Sequence, residues 1–285
     1  MSTRWQIGDV SITKVVESET LGGGEWILPD AKPEAVKEIG WLEPHFMDAE
    51  GKLRFSIHAL VVETPGMTIV VDTCVGNHKE RMPYRLWHQL QTEFLQDLSD
   101  AGFEREKVDV VLCTHLHVDH VGWNTMRVND SWVPTFPNAR YLMARDEFEH
   151  WRNDDEEFQQ TIMGDSVLPV FEAGLVDLVD TSHQVCEEVD LVPTLGHTPG
   201  HVSVRIRSGG EQALITGDFI HHPCQMARLD WISSADFDKA EAEATRRRVF
   251  AEHADTPTLV IGTHFAGPTA GTVVRDGDAY RLKVD

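Results

Sequence analysis

Along most of the chain apolar residues alternate with polar ones or cluster in short unbroken runs, and stretches with a helical spacing are few. Alternation of period two is the mark of strands with one buried face. It predicts strands at 10–18 (VSITKVVES), 57–64, 67–73, 108–114 and 139–145. Further strands are expected at 189–194, 201–208, 212–218, 258–264, 272–276 and 279–284. TPGM at 64–67, SGGE at 208–211 and DGD at 276–278 carry turn residues that join neighbouring strands as hairpins. Three segments read as helices. In 84–101, Trp87, Leu90, Phe94, Leu95 and Leu98 recur at three- and four-residue spacing. Segments 145–160 and 235–254 follow the same rule, the second behind a cap at Ser233 or Ser234.

The order of these elements repeats. A hairpin ending VVDT leads to a helix and then to a strand ending CTHLH. Later a hairpin ending LITGD leads to a helix and then to a strand ending IGTH. Each half thus delivers an aspartate from its hairpin and a histidine from its later strand, which suggests two similar β-rich halves facing each other. No low-complexity linker divides them, so residues 1–285 are expected to form one domain. Segments 19–55 and 121–138 are its expected substrate or dimer loops.

Composition narrows the chemistry. Lys and Arg number 25 against 47 Asp and Glu, a formal net charge of −22, which excludes the basic footprint that nucleic acid or an anionic membrane needs. The four cysteines (Cys74, Cys113, Cys186, Cys224) have no regular spacing and read as core or bystander residues rather than a disulfide framework. The opening MSTRWQIGDV lacks the basic and apolar regions of a secretory signal, and no long apolar run occurs, so a soluble, reduced, cytoplasmic protein is expected.

One run demands more than a polar loop. CTHLHVDHVGWN (113–124) follows an apolar strand and holds His115, His117, Asp119 and His120. Residues two apart on a strand project to the same side, so His115 and His117 form one group, while Asp119 and His120 fall where the chain turns. Imidazole and carboxylate suit borderline divalent ions such as zinc, and two groups suit two adjacent ions. A catalytic zinc usually takes about three protein ligands and keeps a position for water, so more ligands are required. His197 in LGHTPGH, Asp218 in ITGDF and His264 in IGTHF stand where apolar strands end and can supply them.

Taken together, HxHxDH, GHTPGH, TGD and GTH, in that order over about residues 57 to 265, resemble the metallo-β-lactamase-fold hydrolases. The resemblance implies an α/β fold, a four-layer αββα sandwich of two mixed β-sheets with a dinuclear site at its edge. It implies that His115, His117 and His197 hold one metal, that Asp119, His120 and His264 hold the other, and that Asp218 bridges both. Asp72 in VVDT matches the family aspartate that supports the metal-binding loops, and His201 would stand behind the ligands as a donor. Two divalent ions, zinc above all, would activate a bridging water to attack a carbonyl or phosphoryl group. Asp119 would orient the nucleophile and later carry its proton.

Within the family, DFIHHPCQM (218–226) and THFAGPTAG (263–271) resemble the lactonase and esterase branch, which includes quorum-quenching lactonases and organophosphate hydrolases. β-Lactamases with a cysteine ligand do not match, because Asp218 stands at that point. Thioesterases of the glyoxalase II type carry basic residues near the C-terminus, where only Arg275, Arg281 and Lys283 occur here. Many acyl-homoserine lactonases have tyrosine three residues after the bridging aspartate. Here that residue is His221, an imidazole that can still donate to a substrate oxygen, and so a second catalytic candidate. Aromatic residues in the loops predict an apolar pocket, with Phe265, Trp26 and Trp123 the leading wall candidates. The expected reaction is hydrolysis of a lactone or ester that is neutral and partly apolar. Phosphotriester or aryl ester cleavage, or iron-dependent oxidoreduction on the same scaffold, are the alternatives. A second copy of the chain is the only macromolecular partner expected.

Overall fold

A computed structural model describes residues 3–284. Two compact units interleave along the sequence: one comprises the N-terminal segment to Glu17 and Ile57–Thr181, the other Ser18–Ser56 and the chain from Ser182 onward. Each is built on one mixed sheet with its own apolar core.

In the first unit the strands are β1 (Arg4–Ile7), β2 (Val10–Leu21), β3 (Arg54–Glu63), β4 (Thr68–Val71) and β5 (Val110–Leu112). After these come β6 (Thr125–Val128), β7 (Ser131–Pro134), β8 (Arg140–Ala144) and β9 (Val176–Val179). The sheet runs β1-β2-β3-β4-β5-β8-β9, while β6 and β7 form a separate hairpin. Antiparallel β3 and β4 pair Val61 with Val70, and β4, β5, β8 and β9 then run parallel. Parallel strands covered on both faces read as unbroken apolar runs, and Val110, Val111 and Leu112 are all buried. Val61, Val111, Phe94, Leu98 and Tyr141 belong to the core of this unit.

The second unit repeats the scheme. Its strands β10 (Val189–Pro193), β11 (Val202–Ser208), β12 (Glu211–Ile215), β13 (Leu259–Ile261), β14 (Ala270–Asp276) and β15 (Ala279–Lys283) lie in sequence order. The β11–β12 hairpin is antiparallel and β12–β13 is parallel, as β3–β4 and β4–β5 are in the first unit. The repeated order of elements read from the sequence is thus a repeated strand topology. Leu28, Phe46, Phe250 and Leu282 pack in the core of this unit.

Several expectations need correction. The helix expected over 84–101 exists only at Phe94–Asp100. Residues before it spend backbone groups on cross-links instead: His78 donates to the Leu90 carbonyl and Gln89 to that of Lys79. Trp87 and Leu90 still pack on the core, so the apolar spacing marked burial correctly and helicity wrongly. The helix Lys239–His253 is capped by Asp238, whose carboxylate accepts from the backbone of Ala240 and Glu241, rather than by Ser233 or Ser234. The edge strands β1 and β9, outside the expected set, are four residues long and bury only Ile7 fully, too short a run for alternation to mark them. The 121–138 segment is a 3-10 turn at Gly122–Asn124 followed by the β6–β7 hairpin. Among the described residues no helix is long and apolar enough to cross a membrane.

Candidate metal centre

The ligand run begins where β5 ends. Gly122 donates its backbone N–H to the Cys74 carbonyl and Trp123 to that of Thr73, drawing the run against the loop after β4. Only glycine fits at 122, because a Cβ there would lie 1.9 Å from the Val75 carbonyl oxygen. Asp72, in the left-handed region at φ 56°, stands behind the run. Its carboxylate accepts from the Thr114 N–H and from the Thr114 hydroxyl, each at 2.8 Å, and from His120 Nδ1 at 2.9 Å. A carboxylate only accepts, so His120 carries its proton on Nδ1 and keeps the Nε2 lone pair for a metal. With its own proton committed to Asp72, the Thr114 hydroxyl accepts from His115 Nδ1 at 3.1 Å, and His115 is fixed in the same tautomer. His115 Nε2 lies 3.1 Å from His117 Nδ1. Asp119 and His117 are half-buried, whereas His115 and His120 are wholly buried.

Glu147, which no sequence motif marks, fixes the middle of the run. Its Oε1 accepts from the Leu116 N–H at 3.0 Å and from Trp151 Nε1 at 2.6 Å, and the Trp151 ring lies 5.3 Å from that of His117.

The second unit brings His197, Asp218, His221 and His264 together. Asp218 Oδ2 lies 3.0 Å from His264 Nε2, 3.3 Å from His221 Nε2 and 3.8 Å from His197 Nε2. The ligand atoms of His197, Asp218 and His221 lie within 4.8 Å of one another, and all three residues are buried. His264 Nδ1 donates to the Ser56 carbonyl at 3.2 Å, and His197 Nδ1 to Asp236 Oδ1 at 2.9 Å. Both therefore keep the Nε2 lone pair. The Nε2 lone pairs of His197 and His264 face the Asp218 carboxylate oxygen, an arrangement that repels unless a cation lies between, and the separations are those of ligands sharing a small cation with bonds of about 2 Å. The donor set fits a borderline divalent ion.

His201 has a different office from the expected one. Its Nε2 accepts the Asp218 backbone N–H at 2.7 Å, so it is an acceptor. Its Nδ1 donates to Thr194 Oγ1 at 2.9 Å, and that hydroxyl passes its proton to Ser203 Oγ, also at 2.9 Å. The Ser203 hydroxyl ends the chain on the Thr216 carbonyl. His221 is held through its backbone, which donates to Gln225 Oε1 at 2.8 Å. Burial lowers its basicity, with the neighbouring Asp218 carboxylate opposing. Among the described residues its Nδ1 has no hydrogen-bond partner. His222 points away into the core: Nε2 donates to the Phe46 carbonyl at 2.9 Å, Nδ1 accepts from the Cys224 backbone, and burial pushes its pKa down to about 3.

Two of the expected pocket walls are core residues. Trp123 stacks on Phe94 at 5.7 Å and donates its indole N–H to buried Glu17 at 2.7 Å. Phe265 is fully buried, edge-on to Phe46 at 6.4 Å. Large aromatic residues beside ligands serve packing as readily as binding, and here packing claims both. Trp26, on the short helix Gly24–Ile27, is 51% exposed and stays available to a substrate.

Comparison with known proteins identifies the class. The chain belongs to the metallo-beta-lactamase superfamily, whose family model matches residues 53–264. An N-acyl homoserine lactonase of a Bacillus species is 28% identical over 111 residues, which are 39% of this chain and 38% of that one. A probable metallo-hydrolase of Mycobacterium tuberculosis is 26% identical over 213 residues, 69% of this chain and 66% of that one. The chain therefore matches less than two thirds of the length of either relative. Among solved structures, AidC, a dizinc quorum-quenching lactonase in complex with a product, superposes with a TM-score of 0.83 at 21% identity, covering 100% of this chain and 97% of its own. That likeness is one of fold, and the α/β architecture of two mixed sheets is the metallo-beta-lactamase fold.

Proposed function

We propose that the protein is a metal-dependent hydrolase that opens lactones or simple esters and works with two divalent ions, zinc the first candidate. In this reading His115, His117 and His197 hold one ion, Asp119, His120 and His264 the other, and Asp218 is shared. The observation that carries it is the fixed tautomer: His115, His120, His197 and His264 each commit Nδ1 to an oxygen and keep Nε2 for a metal. When bound, two such ions supply an activated water and polarise the group under attack.

The chain's own residues do the rest. Asp119, half-buried and 3.7 Å from His120 Nε2, is placed to orient the attacking water and to carry its proton to the leaving oxygen. His221 stands three residues after Asp218, the position where many lactonases carry tyrosine, with Nε2 3.3 Å from Asp218 Oδ2, and in this reading its imidazole donates to the substrate oxygen. Burial favours its neutral form, which can both donate and accept. A neutral, partly apolar substrate suits a chain of net charge −22 with an exposed Trp26, and the named lactonases among its relatives support that class.

The test is a hydrolysis screen of metal-assayed protein against lactones, aryl esters, phosphotriesters and β-lactams. Lactone or ester turnover is expected, with His221→Phe retaining metal and losing rate. Turnover of phosphotriesters alone, or oxygen uptake by bound iron, would contradict the proposal.

A further inference from the structure

Behind His197 and Asp218 lies a buried charged pair that no sequence motif marks. Asp236 and the Arg246 side chain are both wholly shielded from solvent. Asp236 Oδ1 receives His197 Nδ1, and its Oδ2 receives the Ser233 N–H at 2.9 Å. Arg246 reaches three carbonyls of the loop after Asp218: Nε to Phe219 at 3.2 Å, and Nη1 to Leu229 at 2.8 Å and Trp231 at 3.2 Å. Its Nη2 faces Asp236 Oδ2 at 3.7 Å, an ion pair rather than a hydrogen bond. One planar guanidinium thus touches the residue that follows Asp218 and the carboxylate that orients His197. A lysine ammonium has no fork with which to do both.

The helix carrying Arg246 reinforces this. Residues three and four apart share a helix face, and on that face of Lys239–His253 stand Ala242, Thr245 and Arg246. Thr245 donates to the Leu195 carbonyl at 2.7 Å. The Ala242 nitrogen lies 2.2 Å from where a Cβ on Gly196 would sit, so residue 196, at φ 117°, must be glycine. The same helix face therefore abuts the chain on the approach to His197 and just past Asp218.

We propose that Asp236 and Arg246 are a positioning pair for the metal centre, Asp236 acting through His197 and Arg246 through both Asp236 and the backbone that carries Asp218. The pairing rests on the metal-dependent reading above. Partners behind a ligating histidine typically contribute about 10–100-fold in metal affinity.

The test is zinc affinity of the metal-free full chain, by competition with a chromophoric chelator, beside thermal unfolding of the same metal-free samples. Asp236→Asn keeps the shape and is expected to bind zinc about 10–100-fold more weakly with nearly unchanged unfolding. Arg246→Met should weaken binding too, Arg246→Lys should recover little of it, and the double variant should lose less than the product of the two single losses. Wild-type affinity in Asp236→Asn, or fully multiplicative losses, would overturn the pairing. Should the Arg246 variants fail to fold, Asp236→Asn alone decides. A wild-type chain that takes up no zinc would overturn the functional reading and this pairing with it. Tight wild-type binding with an unaffected Asp236→Asn overturns the pairing alone.

Discussion

Asp72 shows how much one side chain can organise. It accepts from the Thr114 backbone, the Thr114 hydroxyl and His120, and through Thr114 it fixes the tautomer of His115 as well. Aspartate tolerates the left-handed backbone this requires better than most residues. Asp72→Ala should therefore lower zinc affinity by about 10–100-fold, read by calorimetric titration of the metal-free protein, without touching a metal ligand. Unchanged affinity would show that Thr114 and the local backbone suffice. At this scale the candidate ligands stand out in the sequence as a tight run, HLHVDH, and just after apolar strands, as at Asp218 and His264. Asp236 was not legible, because 39 positions separate it from the His197 it serves and nothing local distinguishes it. Trp123 and Phe265 turn into the core, and a place in a loop does not say which way a ring points.

The elements that place these residues were read well where period-two alternation is strong and poorly where polar groups do the holding. The loop between β4 and the helix Phe94–Asp100 is such a case. Lys79 and Arg81, both fully buried, converge there on Asp165: Arg81 meets its carboxylate at 2.7 and 2.8 Å. Lys79 donates to Thr125 Oγ1 at 2.8 Å, at the start of β6, and lies 3.9 Å over the Trp132 ring of β7. This network ties the β6–β7 hairpin to the loop, which alternation alone could not reveal. Burial is the main force on Lys79, opposed by Asp165 and helped by Arg81, and it lowers the ammonium pKa to about 7. Between about pH 7 and the ordinary lysine range near 10.4 the unfolded chain then binds one proton more than the folded one, so this group makes stability rise with pH. Below pH 7 both states are protonated and the full cost of the buried charge is present. Lys79→Met should remove that rise, seen as a flatter stability curve in urea unfolding from pH 7 to 10. An unchanged slope would place the titration elsewhere.

For the whole molecule, two units with the same strand topology each present buried imidazoles whose Nε2 is left for a metal. The repeat was legible because hairpin, helix and strand recur in order with an aspartate and a histidine at matching points. Which loop aromatics turn inward was not, since they divide between core and surface in a way composition does not encode. A net charge of −22 disfavours anionic partners and is partly offset when divalent cations bind. Metal binding to the folded state alone should stabilise it, by about 2.7 kcal/mol at a free concentration one hundred times Kd. The central claim is that two ions and the hydrolysis of a lactone or ester belong together. It is tested most directly by titrating the metal-free chain with zinc while following lactone opening by proton release. Activity that rises to a plateau at two equivalents per chain is predicted; a plateau reached at one equivalent, or a rate independent of zinc, would contradict it.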